Sequence, residues 1–230
     1  MLSVVLAGAL FVTAAQLQRQ RSIVASLRLD PAGLSLFRDR TGTIERPKVM
    51  VIGDSRAAGL GSIDHDGWTT DNRGISGQTT SEILARAGRD LVLDPPDVVV
   101  FIGGVNDLTI QANEEATDAA AQNIEDFIRI ADRLAIPTIV VDPWPARRSA
   151  SLRGRLLPSS FEESLDALRA RVAGSCVHND VDFVSAGFLL DPSGTVRKEY
   201  ARDALHLNDA GNAALGRAVA EALPEVEAPG

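Results

Sequence analysis

The chain has 230 residues, of which 45% are hydrophobic and 23% are charged, and its formal net charge at pH 7 is -8. This length and composition are typical of one globular α/β domain with a sizeable core. The negative charge argues against nucleic acid as a partner, because such binding depends on neutralising phosphates. The single cysteine, Cys176, excludes an intramolecular disulfide, and no Cys/His spacing indicates a zinc site.

The chain begins with an apolar stretch, residues 2–15, in which only Ser3 and Thr13 are polar. The stretch is short for a bilayer span, which needs about 20 residues, and it suits the core of a signal peptide. No Lys or Arg precedes it, so a membrane anchor or a short buried helix fits as well. Basic residues behind it favour keeping that side in the cytoplasm, which conflicts with secretion.

These features divide the chain into three predicted parts. Residues 1–21 form an apolar segment that is a signal peptide or a membrane anchor, residues 22–47 form a connector, and residues 48–230 form the main domain. The segment favours a membrane-anchored or extracytoplasmic protein that associates with a membrane through residues 2–15. A cytoplasmic location is the alternative, and we predict no partner protein.

The first candidate site residue follows an apolar run, residues 49–52, which ends in Gly53-Asp54-Ser55. Such a run bounded by glycine predicts a buried strand. A serine just beyond it lies where open α/β sheets place ligands, outside the carboxyl ends of the strands. Gly53 permits a sharp turn there. Ser55 is therefore a candidate nucleophile, and a polar, glycine-rich loop is predicted after it, to about Thr70.

Two further polar groups come at the start of a helix and at the end of a strand. The spacing of Thr79 and Glu82 predicts a capping box, which places Gly77 just before a helix N-terminus, where free N–H groups favour an anion. Residues 97–102, which are apolar except for Asp97, predict a central parallel strand. That strand ends in Gly103-Gly104-Val105-Asn106-Asp107.

The remaining elements alternate between helices and strands. We predict helices that begin after Asn113, after Ser159 with Glu162 as a capping box, and after Asn208. Strands are predicted at residues 137–142 and 181–184. This alternation predicts a doubly wound parallel sheet with its polar clusters at one edge. The helix that begins after Asn113 has the apolar stripe Ile124, Phe127, Ile128, Ala131 and Leu134.

The last candidate pair is Asp203 and His206, which lie on one side of a turn if that turn is helical. A carboxylate at this spacing can orient an imidazole through its second nitrogen. His206 would then accept the proton of Ser55, whose hydroxyl is a weak nucleophile without a base. The N–H groups of Ser55 and Gly77 and the amide of Asn106 would supply three donors for an oxyanion.

Together these stretches resemble the four sequence blocks of the SGNH (GDSL-type) hydrolases, in the family's order, over roughly residues 48–223. The blocks are Gly53-Asp54-Ser55, Gly74-Ile75-Ser76-Gly77, Gly104-Val105-Asn106-Asp107 and Asp203-x-x-His206. The resemblance implies a flavodoxin-like three-layer α/β/α fold with a parallel doubly wound sheet, and serine esterase chemistry without a metal or cofactor. It implies that Ser55 is the nucleophile, His206 the base, Asp203 its partner, and Gly77 and Asn106 oxyanion donors.

The sequence departs from the family pattern at two places that bear on the site. The crossover from Ser55 to Gly74 is short and turn-rich, which predicts a rudimentary helix and strand and an open cleft on that side. Leu207 follows His206 where many members have proline, which would loosen the turn. Substrate contacts are predicted from four large or charged residues near the blocks: Arg56, Trp68, Arg73 and Trp144.

Three functions are compatible with these residues. The leading hypothesis is a carboxylester hydrolase that acts on small or single-chain acyl esters. The second is an O-acyltransferase or deacetylase on envelope glycans, which would use the same acyl-enzyme. The third is a non-catalytic ligand-binding domain on the same fold, although such a domain is expected to lose Ser, His or Asn, and all three are present here.

Overall fold

The computed structural model of the protein describes residues 47–147 and 152–225. The predictions for residues 1–21 and for the connector up to residue 46 lie outside the described residues. The sheet has five parallel strands in the order β2-β1-β3-β4-β5. The strands are β1 (Lys48–Gly53), β2 (Thr69–Gly74), β3 (Val98–Ile102), β4 (Thr138–Val141) and β5 (Asp182–Val184).

Helices cover both faces of this sheet, which confirms the predicted three-layer α/β/α fold. In β1, Met50 and Ile52 pack on one face, and Val49 and Val51 pack on the other, because side chains of a strand alternate between its faces. The described helices are α1 (Ser55–Leu60), α2 (Thr80–Leu93), α3 (Glu114–Arg133), α4 (Leu152–Arg155), α5 (Phe161–His178) and α6 (Asp209–Ala220). The first face meets α2, α3 and α5, and the second meets α1 and α6.

The loop that the sequence predicts after Ser55, to about Thr70, is confined to residues 61–68, and the helix of the crossover is short, as predicted. The crossover begins with this helix, α1, whose N-cap Asp54 accepts a hydrogen bond from the N–H of Arg56. It ends with β2, which has six residues and pairs with β1 along its whole length, so this strand is not rudimentary. Its sequence is polar, and its buried side chains Asp71 and Arg73 are held by ion pairs instead of apolar contacts.

These ion pairs belong to a larger group, which we call the β2–α2 ion cluster. Arg73 contacts carboxylates of Asp71, Asp90 and Asp94, and Arg86 is paired with Asp90. The cluster consists of Lys48, Asp71, Arg73, Arg86, Asp90 and Asp94. It replaces an apolar core on the side of the sheet where β2 meets α2.

The helix starts follow the predicted caps at Thr79, Asn113 and Asn208, each of which accepts a hydrogen bond from a backbone N–H of the first turn. The prediction for α5 is wrong by one residue. Its N-cap is Ser160, whose hydroxyl donates to the carbonyl of Ala112 at 2.5 Å instead of capping the helix. Leu134 is also wrong as a core residue, because the chain turns at the C-cap of α3 and leaves it 39% exposed.

Two glycines set the position of α1 above the sheet. A Cβ on Gly53 would lie 1.8 Å from the carbonyl oxygen of Ile102 in β3 and 2.9 Å from the Cβ of Ala57 in α1. A Cβ on Gly74 would lie 2.1 Å from the backbone nitrogen of Ala58 in α1. No other residue fits at either position without moving the backbone. Ser55, the first residue of α1, is therefore placed by direct contact between main-chain atoms.

Candidate active site

Ser55 and His206 meet at the carboxyl edge of the sheet. Ser55 follows β1 directly, and His206 ends a turn of residues 203–206 that precedes α6. The distance between Ser55 Oγ and His206 Nε2 is 2.8 Å, although 151 positions separate the two residues in the chain. This arrangement brings together residues that the sequence analysis paired only by chemistry.

Asp203 completes a chain of hydrogen bonds with these two side chains. Both of its carboxylate oxygens lie 2.8 Å from His206 Nδ1. Because a carboxylate only accepts hydrogen bonds, Nδ1 carries the proton and Nε2 accepts from the hydroxyl of Ser55. Asp203 Oδ1 also accepts from the backbone N–H groups of Leu205 at 2.9 Å and His206 at 3.0 Å. The same carboxylate thus shapes the turn and orients the imidazole.

Burial and neighbouring charges determine the protonation states of His206 and Asp203. Burial lowers the pKa of His206, and the cations of Arg202 and Arg56 add to that effect, while Asp203 opposes it. Burial raises the pKa of Asp203, but hydrogen bonds from Leu205 and His206 outweigh it, and the pKa is lowered overall. At neutral pH the imidazole is therefore neutral and the carboxylate is ionised, which is the state of a general base ready to accept a proton.

The three predicted oxyanion donors differ in how they are engaged. The N–H groups of Ser55 and Gly77 have no acceptor within the described residues. Gly77 has a φ of 87°, which favours glycine. In contrast, the amide of Asn106 already donates to the carbonyl of Gln78 at 2.9 Å and, at a longer 3.3 Å, to Asp54 Oδ2. The longer bond is the one that a ligand would displace more easily.

Asp54 and Asp107 are two residues of the site that the sequence analysis left without a role. Asp54 is fully buried, and burial raises its pKa to about 6, although the charge of Arg56 opposes the shift. Asp107 accepts from the N–H of Thr80 at 3.0 Å and from its hydroxyl at 2.7 Å, which fixes the segment after β3 to the start of α2. The sequence signal for Asp54 is its position as an N-cap before a helix.

The predicted substrate contacts of Arg73 and Trp68 are wrong. Arg73 is fully buried, and its guanidinium is bound by carboxylates of the β2–α2 ion cluster. Trp68 precedes β2, whose first residue Thr69 pairs with Lys48 at the start of β1. Because the strands are parallel, Trp68 lies at the amino edge of the sheet, opposite Ser55, where its Nε1 donates to the carbonyl of Pro224 at 3.2 Å.

Arg56 and Trp144 lie near the site but inside the protein. They are 3% and 1% exposed, and Arg56 Cζ lies 4.2 Å from the centroid of the Trp144 ring. Arg56 Nε donates to the carbonyl of Leu205 at 3.0 Å, next to His206. Both side chains are closed off from solvent, and their contacts lead to the turn of residues 203–206, so the predicted substrate contact of this pair stays a prediction.

Comparison with known proteins agrees with the resemblance seen in the sequence. The model of the GDSL-like lipase/acylhydrolase family matches residues 51–214, which include Ser55, Gly77, Asn106, Asp203 and His206. The chain belongs to the GDSL-like lipase/acylhydrolase family. It is therefore a carboxylester hydrolase by family. No curated protein matches the chain.

Several solved structures of lipases and esterases share the fold of this chain. A GDSL-like lipase from Bacteroides thetaiotaomicron VPI-5482 superposes with a TM-score of 0.70 at 20% identity, covering 84% of this chain and 98% of that one. The acetyl xylan esterase AlAXEase gives 0.63 at 19% identity, with 77% and 100% covered. The M. smegmatis aryl esterase gives 0.59 at 18% identity, with 76% and 97% covered. At these identities the likeness shows the fold.

Residues 47–147 and 152–225 contain no group of three or more His, Cys, Asp or Glu side chains that could hold a metal ion. Within the same ranges, every helix is too short or too polar to cross a bilayer. The predictions about residues 2–15 and about location stay predictions.

Proposed function

We propose that this protein hydrolyses small or single-chain acyl esters through an acyl-enzyme on Ser55. The observation that carries the proposal is the continuous chain of 2.8 Å contacts from Ser55 Oγ through the imidazole of His206 to the carboxylate of Asp203. A serine hydroxyl needs such a base to become a nucleophile. Membership of the family indicates the class of reaction, and the hydrogen-bonded side chains of Ser55, His206 and Asp203 would activate the nucleophile.

In the first half of the reaction, Ser55 Oγ attacks the carbonyl carbon of the ester while its proton passes to His206 Nε2. The imidazolium that forms is stabilised by Asp203, which keeps the proton on Nδ1. The tetrahedral intermediate then collapses, its bond to the alcohol oxygen breaks, and the alcohol leaves with the proton from Nε2. The acyl group remains on Ser55.

In the second half, water replaces the alcohol. His206 takes a proton from the attacking water and returns it to Ser55 Oγ as the acid departs, so that the enzyme is restored. If the hydroxyl of a sugar takes the place of water, the same acyl-enzyme gives acyl transfer. Adding a sugar acceptor to the assay distinguishes the two outcomes, because only transfer forms an acylated sugar.

Each half of the reaction passes through a tetrahedral intermediate with a negative charge on the former carbonyl oxygen. The N–H groups of Ser55 and Gly77 would bind it, together with the amide of Asn106. For this the amide must exchange its 3.3 Å bond to Asp54 for a bond to the oxyanion. The bond to Gln78 would hold the amide in place during that exchange.

The test is hydrolysis of p-nitrophenyl esters from acetate to octanoate by the wild-type protein and by Ser55→Ala. We expect the substitution to lower kcat by on the order of 10⁴–10⁶-fold, as for other serine nucleophiles, without changing Tm. The matched control is Ser175→Ala. This serine lies near the C-terminal end of α5, away from Ser55, His206 and Asp203, and the variant should keep full activity. Full activity in Ser55→Ala would refute the proposal.

A further inference from the structure

Arg56 links the two halves of the proposed catalytic apparatus. It is the residue after Ser55, and its Nε donates to the carbonyl of Leu205, the residue before His206, at 3.0 Å. The hydrogen bond spans 149 positions of the chain. A single bond therefore connects the backbone beside the nucleophile to the backbone beside the base.

We propose that Arg56 is a positioning residue that holds His206 at hydrogen-bond distance from Ser55. The inference rests on the proposed function, because the distance between these two side chains matters only if a proton passes between them. Arg56 acts through the turn of residues 203–206 and does not touch the substrate, since it is 3% exposed. A displacement of about 1 Å between reacting groups can lower a rate about 100-fold.

The hydrogen bonds of the turn show why Arg56 can set its position. The bonds from Asp203 Oδ1 to the N–H groups of Leu205 and His206 shape the turn but do not tie it to the rest of the protein. Besides the bond between His206 and Ser55, two hydrogen bonds among the described residues connect the turn to distant parts of the chain. Ala204 accepts from the N–H of Arg147 at 2.8 Å, and Leu205 accepts from Arg56. The side chains of Ala204 and Leu205 are also buried in the core, but apolar packing is not directional. The hydrogen bond to Arg56 is directional and therefore fixes the orientation of the turn relative to Ser55.

The surroundings of Arg56 fix the guanidinium itself. It lies over the indole of Trp144, with Cζ 4.2 Å from the ring centroid, an arrangement in which the ring face attracts the cation. The carboxylates of Asp54, Asp142 and Asp203 add a favourable field. Burial lowers the pKa of Arg56 to about 10, so that it stays a cation at neutral pH.

This environment is costly for a residue with a merely structural role. Both Nη atoms of Arg56 are buried and have no hydrogen-bond partner within the described residues. An unpaired buried donor destabilises a fold, and an apolar side chain of similar length would avoid that cost. The one hydrogen bond that Arg56 does make is directed at the turn that carries the base.

The experiment compares wild type, Arg56→Met and Arg56→Lys in steady-state hydrolysis of p-nitrophenyl acetate and in the rate of covalent labelling by a phosphonofluoridate. Methionine keeps the apolar stem but removes the donor and the charge. We expect it to lower kcat and the labelling rate together by about 10- to 100-fold, with KM within twofold. Lysine keeps a cationic donor and should recover part of this loss.

A pH profile and a stability control separate positioning from general destabilisation. Because the cation of Arg56 lowers the pKa of His206, Arg56→Met should move the acid limb of kcat/KM to higher pH. The control is Leu215→Ala, which opens a cavity in the core on the α1 and α6 side without touching the turn. It should lower Tm and leave kcat and the acid limb unchanged below Tm. If Arg56→Met does not fold, Arg56→Gln replaces it.

The outcomes distinguish this inference from the function on which it rests. A folded wild type that is neither labelled nor active overturns the proposed function, and the inference with it. An active wild type with an Arg56→Met variant whose kcat lies within threefold of it overturns the inference alone. So does a loss of kcat that Leu215→Ala reproduces, or one that the lysine variant does not reduce.

Discussion

The candidate active site and the β2–α2 ion cluster are built from similar residues and behave in opposite ways. In the ion cluster, the side chains of Arg73 and Arg86 contact carboxylates and are 1% and 0% exposed. In the site, Asp203 is 36% and His206 14% exposed, and their chain of hydrogen bonds ends on the hydroxyl of Ser55. Apart from Asp94, which is 35% exposed, the side chains of the first group are closed to solvent, and their pairing holds β2 against α2. The second is open to solvent, and its last member can react.

The contrast predicts that substitutions in the two regions affect different measurements. A change in the site should alter rates and leave the free energy of unfolding nearly unchanged. A change in the ion cluster should do the reverse, because the unpaired partner stays buried.

The largest effect is expected from Asp203→Asn. Asparagine can still accept the backbone N–H groups of Leu205 and His206 through its oxygen, so the turn should keep its shape. With its oxygen engaged by these two N–H groups, its amide nitrogen takes the place of Oδ2 beside His206 Nδ1. There it donates instead of accepting, so that the imidazole takes the wrong tautomer. We expect kcat to fall by about 10⁴-fold with Tm almost unchanged, measured with p-nitrophenyl acetate and by thermal denaturation. A fall of less than tenfold would contradict the assignment of Asp203.

Arg73→Met tests the other side of the comparison. It leaves Asp71 buried without its closest partner, an ion pair with 2.7 Å between Nε and Oδ2. The free energy of unfolding should fall by about 3–5 kcal/mol, as measured by urea denaturation, whereas kcat and KM should be unchanged below Tm. The double variant Arg73→Met/Asp71→Leu should recover most of the stability, since it removes both charges. A raised KM with unchanged stability would restore Arg73 as a substrate contact.

Asn106→Ala sharpens the comparison within the site. It removes one proposed oxyanion donor, and it also deprives Gln78 and Asp54 of a hydrogen bond. We expect kcat to fall by about 10²–10³-fold, as for other single donors, with little change in KM. Steady-state kinetics on the ester series measure both constants. Equal losses in kcat for every ester are expected, and a loss confined to long chains would indicate a role in acyl binding instead.

The smallest effect concerns pH. His206 must be neutral to act as a base, and its pKa is lowered by burial and by Arg202 and Arg56, with Asp203 opposing. Activity should therefore persist below the usual histidine pKa of about 6.5 and disappear as the pH falls through the lowered value. Arg202→Ala should shift this limb of kcat/KM to higher pH. A limb that stays in place would show that Arg202 does not act on the imidazole, and a shift to lower pH would contradict the sign of its effect.

The sequence predicts the central sheet and the meeting of the triad for one physical reason. The short runs of β-branched and apolar residues at β1, β3 and β4, each ended by glycine or a polar residue, favour buried strands, and parallel strands bring their carboxyl ends to one edge. The polar residues that follow β1 and β3 must then lie at that edge, and the spacing of Asp203 and His206 suits a turn.

The sequence analysis did not predict β2 as a full strand, because its buried side chains are charged and are held by ion pairs. β2 has a polar sequence, and its burial depends on Asp71 and Arg73 pairing with residues of α2. A signal was present, since Arg86 and Asp90 lie four residues apart on the same face of α2 as the buried Ile83 and Ala87. A charged pair within an apolar stripe indicates an ionic partner across the interface. That partner's identity depends on the order of the strands, which periodicity alone does not give.

The seating of α1 on Gly53 and Gly74 has a consequence for where the protein tolerates substitution. The position of Ser55 relative to the sheet depends on contacts between main-chain atoms, which a change of side chain elsewhere does not remove. A substitution of a side chain that does not contact α1 leaves these main-chain contacts in place. At the two glycines even a single methyl group would clash with the main chain of β3 or of α1 and move the hydroxyl away from its base.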